Sequence, residues 1–495
     1  MTTLDYGVNV FPGATKGQPP LSVDTEIIAL IGMFPADKAA SATKGHPLEW
    51  YKCTGLEDFK SAYGLEEFWG TGQLLRSVGF VTPKSAQTLF EGGITPILIY
   101  NIFDESAHTV SITDEVLTFS ALVPEQFVAN EFALIDTFVV TDNPMTKTYV
   151  EGTDYSLARN ATTGLVGVTR ITTGTIGATD DVLVDYEYID PTTVVTAEVT
   201  AGIDAVQTII MDLGFANLPG WIHCPEYSKI AVSGTDPASI RAQLKINALS
   251  LNTAFTTRFL YDIDETDFAA TVVAGAPNLT KISDDKDVTS EHGRVFFGEG
   301  STPGRTEQLL SDKFLVLHTA EVASNQFPCV SPSNRVIEDY TPAYPLAWPL
   351  SSNTVRKMGI ICTSLDPADR GYTLWGTQTS YFAGTATDLR LDSTNQNDLQ
   401  NYLVKAITRD VWVKNTDRNF NKFTATDIVD KWNALGKQQT SKGKVLGWVF
   451  SFNPADNPDL SSYIKFNLSL LGPEPMARTD VEIQIDLTYF ATVFG

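Results

Sequence analysis

The feature that most constrains this chain is an alternation near its end, where Val481, Ile483, Ile485, Leu487 and Tyr489 are separated by Glu482, Gln484, Asp486 and Thr488. A period of two is that of a strand, so these residues define one face to be buried and one to be wetted. A shorter version stands at the other end. There Tyr6, Val8 and Val10 alternate with Gly7 and Asn9, ahead of a Gly- and Pro-rich stretch that closes with Gln18-Pro19-Pro20. Neither segment carries enough apolar surface to fold alone. Each needs a sheet to join, in its own body or in another molecule, because an unpaired strand exposes a row of N–H and C=O groups that a neighbouring sheet edge can bind. The pattern alone leaves both pairings open.

Between these ends the chain reads as α/β. Glu26-Ile27-Ile28-Ala29-Leu30-Ile31-Gly32 is a nearly continuous apolar run, as expected of a strand buried on both faces, and Ile97-Leu98-Ile99-Tyr100 is a second. Thr54-Gly55-Leu56-Glu57 has capping-box spacing and predicts a short helix through Tyr63. After Phe103 the character turns all-β, with Thr, Val, Tyr and acidic residues broken by glycines, which predicts an inserted β domain over 104–200. The α/β pattern resumes with a helical stretch from Ala201 to Met211, a short strand in Trp221–Cys224, and a helix from Pro237 to about Phe255. Two further helical patterns, Asn397–Thr408 and Thr426–Leu435, precede the closing strands. At 495 residues, about two to four domains are expected.

Charge is unevenly spread over the chain, whose formal net is −24. Residues 104–200 carry sixteen Asp or Glu against three Lys or Arg, a net of −13, whereas residues 405–444 carry nine basic against four acidic, a net of +5. The overall balance argues against nucleic acid as a partner, and the asymmetry predicts two surfaces in different environments. No stretch approaches the roughly 18–20 apolar residues that cross a bilayer. The start lacks the basic-then-apolar order of a secretory signal, so assembly in the cytoplasm of the producing cell is expected.

Signs of chemistry are sparse. Phosphate-loop, dinucleotide, nucleophile-elbow and zinc-protease motifs are missing. The four cysteines (Cys53, Cys224, Cys329, Cys362) show no zinc or disulfide spacing. His223 and Cys224 are adjacent on a strand and so point to opposite faces, which predicts a structural role for both. Asp262, Asp264, Glu265 and Asp267 form a carboxylate cluster that lacks the glycine and distal glutamate of a calcium loop, and a solvated acidic turn is expected there. No catalytic residue, metal site or cofactor is predicted.

Several stretches resemble the tail sheath proteins of contractile bacteriophages, tailocins and related injection systems. Gly7-Val8-Asn9-Val10 followed by Val23–Gly32 looks like that family's opening, and Asn101-Ile102-Phe103-Asp104 like the end of its first α/β segment. Tyr149–Tyr155 with Val184-Asp185-Tyr186-Glu187-Tyr188 is similar to its inserted β domain. Ser331-Pro332-Ser333-Asn334 and Gly371–Thr379 look like its SPSN and G-x-x-x-WG-x-x-T elements, with Gln378 where arginine is common, and Pro473–Arg478 stands where a P-x-E pattern is usual. The resemblance implies a multidomain α/β fold: an N-terminal arm over 1–22, a sheath core over 23–103 and 201–375, an outward-facing β domain over 104–200, an α+β C-terminal domain over 376–478 that carries a recipient sheet, and a C-terminal strand arm over 479–495. It implies a structural subunit that stacks with copies of itself in helical rings around an inner tail tube protein. The stack meets baseplate and tail terminator proteins, makes no direct contact with nucleic acid, inserts into no membrane, and contracts to drive the tube through a target envelope. Its place would be the virion tail, assembled in the host cytoplasm. The inter-subunit contacts would fall on Tyr6, Val8, Val10, Val481, Ile483, Ile485 and Leu487, and Lys431, Lys437, Lys442 and Lys444 are candidates to face an acidic tube. Two other readings remain: a hydrolase-like α/β enzyme with an inserted β domain, which a pocket gathering His, Asp and Ser would favour, and another viral structural protein such as a tube, capsid or adhesin subunit.

Overall fold

In the computed structural model, the described residues are 26–34, 47–63 and 81–473, less short internal stretches at 131, 161–162, 226, 230, 232–233, 252–254, 265–278, 304, 326, 345, 347–349, 366–370, 384–387, 408–409, 411–421 and 457–464. Both alternating end segments, with Tyr6, Val8, Val10, Val481, Ile483, Ile485 and Leu487, lie outside them, as do Glu265 and Asp267.

An eight-stranded sheet organises the body. Its strands are β1 (Ile28–Gly32), β2 (Trp50–Cys53), β3 (Ile97–Asn101), β4 (Trp221–His223), β5 (Arg258–Asp262), β6 (Gly293–Phe297), β7 (Ile361–Leu365) and β8 (Tyr372–Trp375). They lie in the order β8-β7-β6-β5-β4-β1-β3-β2. The six inner strands pair in parallel, while β2 and β8 close the edges antiparallel. Every residue of β1, β5 and β6 is buried, as the apolar run in β1 requires of a strand with helices on both faces. Helices that flank this sheet include α1 (Leu56–Tyr63), α2 (Val81–Glu91), α3 (Thr196–Asp204), α4 (Pro237–Leu249) and α5 (Leu310–Asn325). The predicted start of α1 holds, with a shift in its cap. Asp58, one residue beyond Glu57, accepts from the Thr54 amide at 2.9 Å and hydroxyl at 3.0 Å, and Glu57 pairs with Lys60 instead. The helical stretch expected from Ala201 to Met211 is present and starts earlier: α3 passes into a 3-10 turn at Ala205–Thr208 and a short α-helical stretch at Ile209–Leu213.

Residues 109–189 form two three-stranded antiparallel sheets. One joins Thr109–Thr118, Asp181–Ile189 and Val139–Asp142, and the other joins Glu125–Phe127, Val166–Arg170 and Tyr155–Arg159. Between them lies a separate apolar cluster that includes Val140, Val166, Val168, Val182, Val184 and Tyr186, with Phe138 stacked on Tyr186 at 5.0 Å.

A third cluster is built by α6 (Thr394–Ile407), α7 (Lys422–Ser441), β9 (Gly447–Phe452) and β10 (Phe466–Leu471). Leu399 and Leu403 of α6 meet Trp432 and Phe450 in this cluster. The opposite face of α6 is polar yet not wet. Asn397, Asp398 and Asn401 are at most 1% exposed, because that face is laid on the central sheet. Asp398 Oδ1 lies 2.9 Å from Arg258 Nη1 and 2.8 Å from Arg294 Nη2, and Arg258 Nη2 lies 2.6 Å from Glu26 Oε1. Glu26 also takes His318 at 2.8 Å and the Trp221 indole N–H at 2.8 Å, while the Arg258 guanidinium lies over the Trp221 ring, 3.8 Å from its centre. Burial alone would raise the Glu26 carboxyl, but Arg258 and His318 outweigh it and hold the group well below the usual carboxylate range. Removing one partner of such a buried pair costs about 3–5 kcal/mol, because the other charge is left uncompensated. The network therefore fixes α6 to the central sheet.

Candidate assembly surfaces

In an open parallel sheet the place for a ligand is the crevice beyond the carboxyl ends of the strands, where the strand order reverses. Here that crevice is filled. Asn101, at the end of β3, accepts from the Phe34 amide at 3.0 Å and donates to its carbonyl at 3.2 Å. His223 and Asp262, which end β4 and β5, are capped by the first turn of α5. Ser311 donates its amide to Asp262 at 3.2 Å and also its hydroxyl, Asp312 lies 3.1 Å from His223 Nε2, and Ser85 of α2 donates to Asp312 at 2.7 Å. Asp262 thus belongs to the core and not to the solvated acidic turn expected from its neighbours.

This cluster gathers His, Asp and Ser, the constellation that would favour a hydrolase, but its wiring is wrong for one. In a nucleophilic triad the two imidazole nitrogens have different partners. Here His223 Nε2 faces both Asp312 and, at 3.4 Å, Ser311, while His223 Nδ1 has no partner among the described residues. All of these side chains are at most 2% exposed, so no substrate reaches them. Among the described residues no group of His, Cys, Asp and Glu is placed to hold a metal, and no helix is long and apolar enough to cross a membrane. None of the four cysteines is disulfide-bonded.

Open strand edges and exposed basic residues lie elsewhere. β9 and β10 pair antiparallel from Gly447↔Leu471 to Phe452↔Phe466, and among the described residues no further strand joins them. Trp448 and Phe450 on β9, with Phe466, Leu468 and Leu470 on β10, face the apolar cluster, whereas Val449 is 58% exposed on the other side. The hairpin is held to α7 by Asn433, which donates to the Phe450 carbonyl at 2.7 Å and accepts from its amide at 2.8 Å. Trp448 stacks on Trp432 at 6.3 Å. Only glycine allows this approach, since a Cβ at Gly436 would stand 2.0 Å from the Trp448 ring.

Of the four lysines singled out, Lys437 and Lys442 are exposed at the end of α7 and just beyond it. Lys431 is half-buried, 2.5 Å from Asp410, and Lys444 donates to Asn325. The two SPSN-like and WG-like stretches, 40 residues apart in sequence, pair with each other. The Asn334 amide donates to the Leu374 carbonyl at 2.6 Å, the Leu374 amide donates to the Arg335 carbonyl at 2.9 Å, and the Ser333 hydroxyl accepts from the Gly376 amide at 3.1 Å.

Compared with models of known protein families, the chain matches none. It is 24% identical to the tail sheath protein of Burkholderia phage BcepMu over 510 aligned positions, covering 99% of this chain and 98% of the relative. The chain is thus similar to a phage tail sheath protein from end to end. Solved structures share the chain's fold. One chain of the six-fold symmetrised baseplate of the anti-feeding prophage superposes with a TM-score of 0.54 at 11% identity, covering 94% of both chains. A chain of the extracellular contractile injection system PVC sheath complex in the contracted state superposes at 0.53 and 9% identity, covering 94% of this chain and 93% of that one.

The buried cluster at the ends of β4 and β5 gives a pH signature. Burial pushes the Asp262 carboxyl up to about 6, against the Ser311 hydroxyl and His223, which favour its charged form. A carboxyl raised by folding binds more protons folded than unfolded. Its contribution to stability is complete below its ordinary value near 3.8 and is lost as the pH rises to about 6. In Asp262→Asn, unfolding free energies from urea titrations should fall less steeply with pH across that window, by up to about 1.4 kcal/mol per unit. Parallel profiles for the two proteins would contradict a buried acid at this position.

Proposed function

We propose that the chain is a non-enzymatic subunit of a contractile sheath, built by copies that link through their ends around an inner tube. The observation that carries this reading is the end-to-end similarity to a tail sheath protein, to which the open β9–β10 hairpin gives a physical means. The segment holding Tyr6, Val8 and Val10 and the one holding Val481, Ile483, Ile485 and Leu487 each add a strand to the hairpin of another copy. A backbone hydrogen bond nets about 0.5–1.5 kcal/mol, so five or six per strand with one apolar face make a joint of several kcal/mol. Such joints keep neighbours attached while the bodies rearrange between an extended and a shorter, wider form. The body between the ends is stiffened by the Glu26–Arg258–Asp398 network.

In this reading the ends are 1–22 and 479–495, the core spans 23–103 and 201–375, the acidic segment 104–200 faces outward and keeps a dense polymer soluble, and 376–478 faces the tube. Baseplate and terminator proteins close the two ends of the stack, in a phage tail or a phage-tail-like particle. Of the basic residues, Lys437 and Lys442 are the ones with free surface to meet an acidic tube, and Lys431 and Lys444 would have to leave Asp410 and Asn325 to do so. Exposed pairs are worth about 0–1 kcal/mol each, which suits a surface that must let the tube go.

Two experiments test these assignments. Deleting residues 1–20 should leave a folded monomer, by circular dichroism and gel filtration, that forms no helical tubes in electron micrographs under conditions where the intact chain does; normal tubes would remove the arm from the mechanism. Separately, Lys437→Glu with Lys442→Glu should stop growth of the sheath on a tube while leaving self-association of the chain intact, and unaltered growth would refute a tube-facing role for that surface.

A further inference from the structure

The described residues that adjoin the two terminal segments are held by the same helix. The N-terminal one ends at Glu26, which Arg258 joins at 2.6 Å and so connects to Asp398 of α6 at 2.9 Å. The C-terminal one begins after β10, at Gly472 and Pro473. There Gln396, two residues from Asp398 on α6, donates to the Gly472 carbonyl at 2.8 Å and accepts from the Gly472 amide at 3.2 Å. A carboxamide that answers both groups of one residue imitates a strand neighbour, and it does so in the core, since Gln396 is 9% exposed and Gly472 is buried. The fit is close, since a Cβ on Gly472 would stand 2.7 Å from Cys329 Sγ and 3.2 Å from the Gln396 side chain and would displace them.

We infer that the first turns of α6 are the mechanical junction of the two arms, with Gln396 and Asp398 as positioning residues that pass tension from one arm root to the other without loading the β9–β10 hairpin. This rests on the reading of the ends as inter-subunit arms. Each copy in a sheath would be pulled at both ends by its neighbours. Were Gly472 held only by β10, that pull would act directly on the hairpin that receives a neighbour's strand and would peel it open. With the carboxamide in place, the pull passes to α6, across Asp398 and Arg258 to Glu26, and out through the other arm. The buried polar run Thr394-Asn395-Gln396-Asn397-Asp398 thereby acquires a role that a solvent-facing helix surface would not have.

The test applies force between the two ends of the full chain, held by handles at its termini in an optical trap, and compares it with Gln396→Met, which keeps the side-chain length and removes both hydrogen bonds. In the variant the first extension event should come at lower force and release about 90 Å, the length of residues 447–473 drawn straight; in the intact chain that event should be absent before the body yields as a whole. Equal first forces and equal first steps in the two proteins would overturn the inference. Hydrogen exchange on the intact chain gives a second reading that needs no variant. The Gly472 amide should be protected as strongly as the ladder amides of β9 and β10, and rapid exchange at Gly472 would overturn the inference as well. Neither reading depends on polymer formation, so a failure of the intact chain to polymerise would count against the sheath reading alone.

Discussion

The rest of the structure depends on a buried set of charges at the centre of the sheet. Glu26, Arg258, Asp398, Arg294 and His318 come from five separate places in the chain, and none is more than 8% exposed. Ion pairs that deep add little net stability compared with apolar packing, because desolvation offsets most of the attraction. What they supply is exclusivity of arrangement. α6 sits in one position over β5 and β6, and any displacement leaves charges unpaired in the core. In the sheath subunit we propose, that arrangement would hold the sheet and the C-terminal hairpin in a fixed relation while neighbours pull on the ends.

The same economy of space explains why an α/β sheet of this kind is not a binding crevice. Ser311, Asp312 and Ser85 occupy the positions beyond β4 and β5 where a ligand would otherwise lie, and Asn101 closes the end of β3 over Phe34. Among the described residues these polar groups, His223 Nδ1 apart, find their partners in one another. Charge is divided between segments, with the acidic excess on the β domain of 104–200 and the basic excess in the segment that holds α7.

Much of the frame was legible in the sequence, for identifiable reasons. β1 and β3 announced themselves as apolar runs, α4 by Pro237 at its first turn, although it ends at Leu249 and not near Phe255, and the β domain by its Thr, Val and Gly rhythm. The interior charges were not legible. Arg258, Asp262 and Arg294 are single polar residues at or near strand starts and ends, where solvation is the ordinary expectation. Their partners lie at Glu26, Ser311 and Asp398, far away in sequence, so no local pattern records them. The buried polar face of α6 misleads in the same way, since Thr394–Asp398 and Asn401 look like the wet side of an amphipathic helix and are in fact its docked side. For Lys431 and Lys444 the net charge of the segment was readable, but the neighbours that occupy them, Asp410 and Asn325, were not.

The central claim is that copies of this chain are joined by backbone pairing of their ends with one another's hairpins. A density map of the assembled polymer, at a resolution that traces the main chain, decides it. The account predicts residues near Val8 or Ile483 of one copy running alongside β9 or β10 of another, with a continuous ladder of N–H to C=O bonds between them. Both ends folded against their own body, with only side-chain contacts between copies, would contradict it.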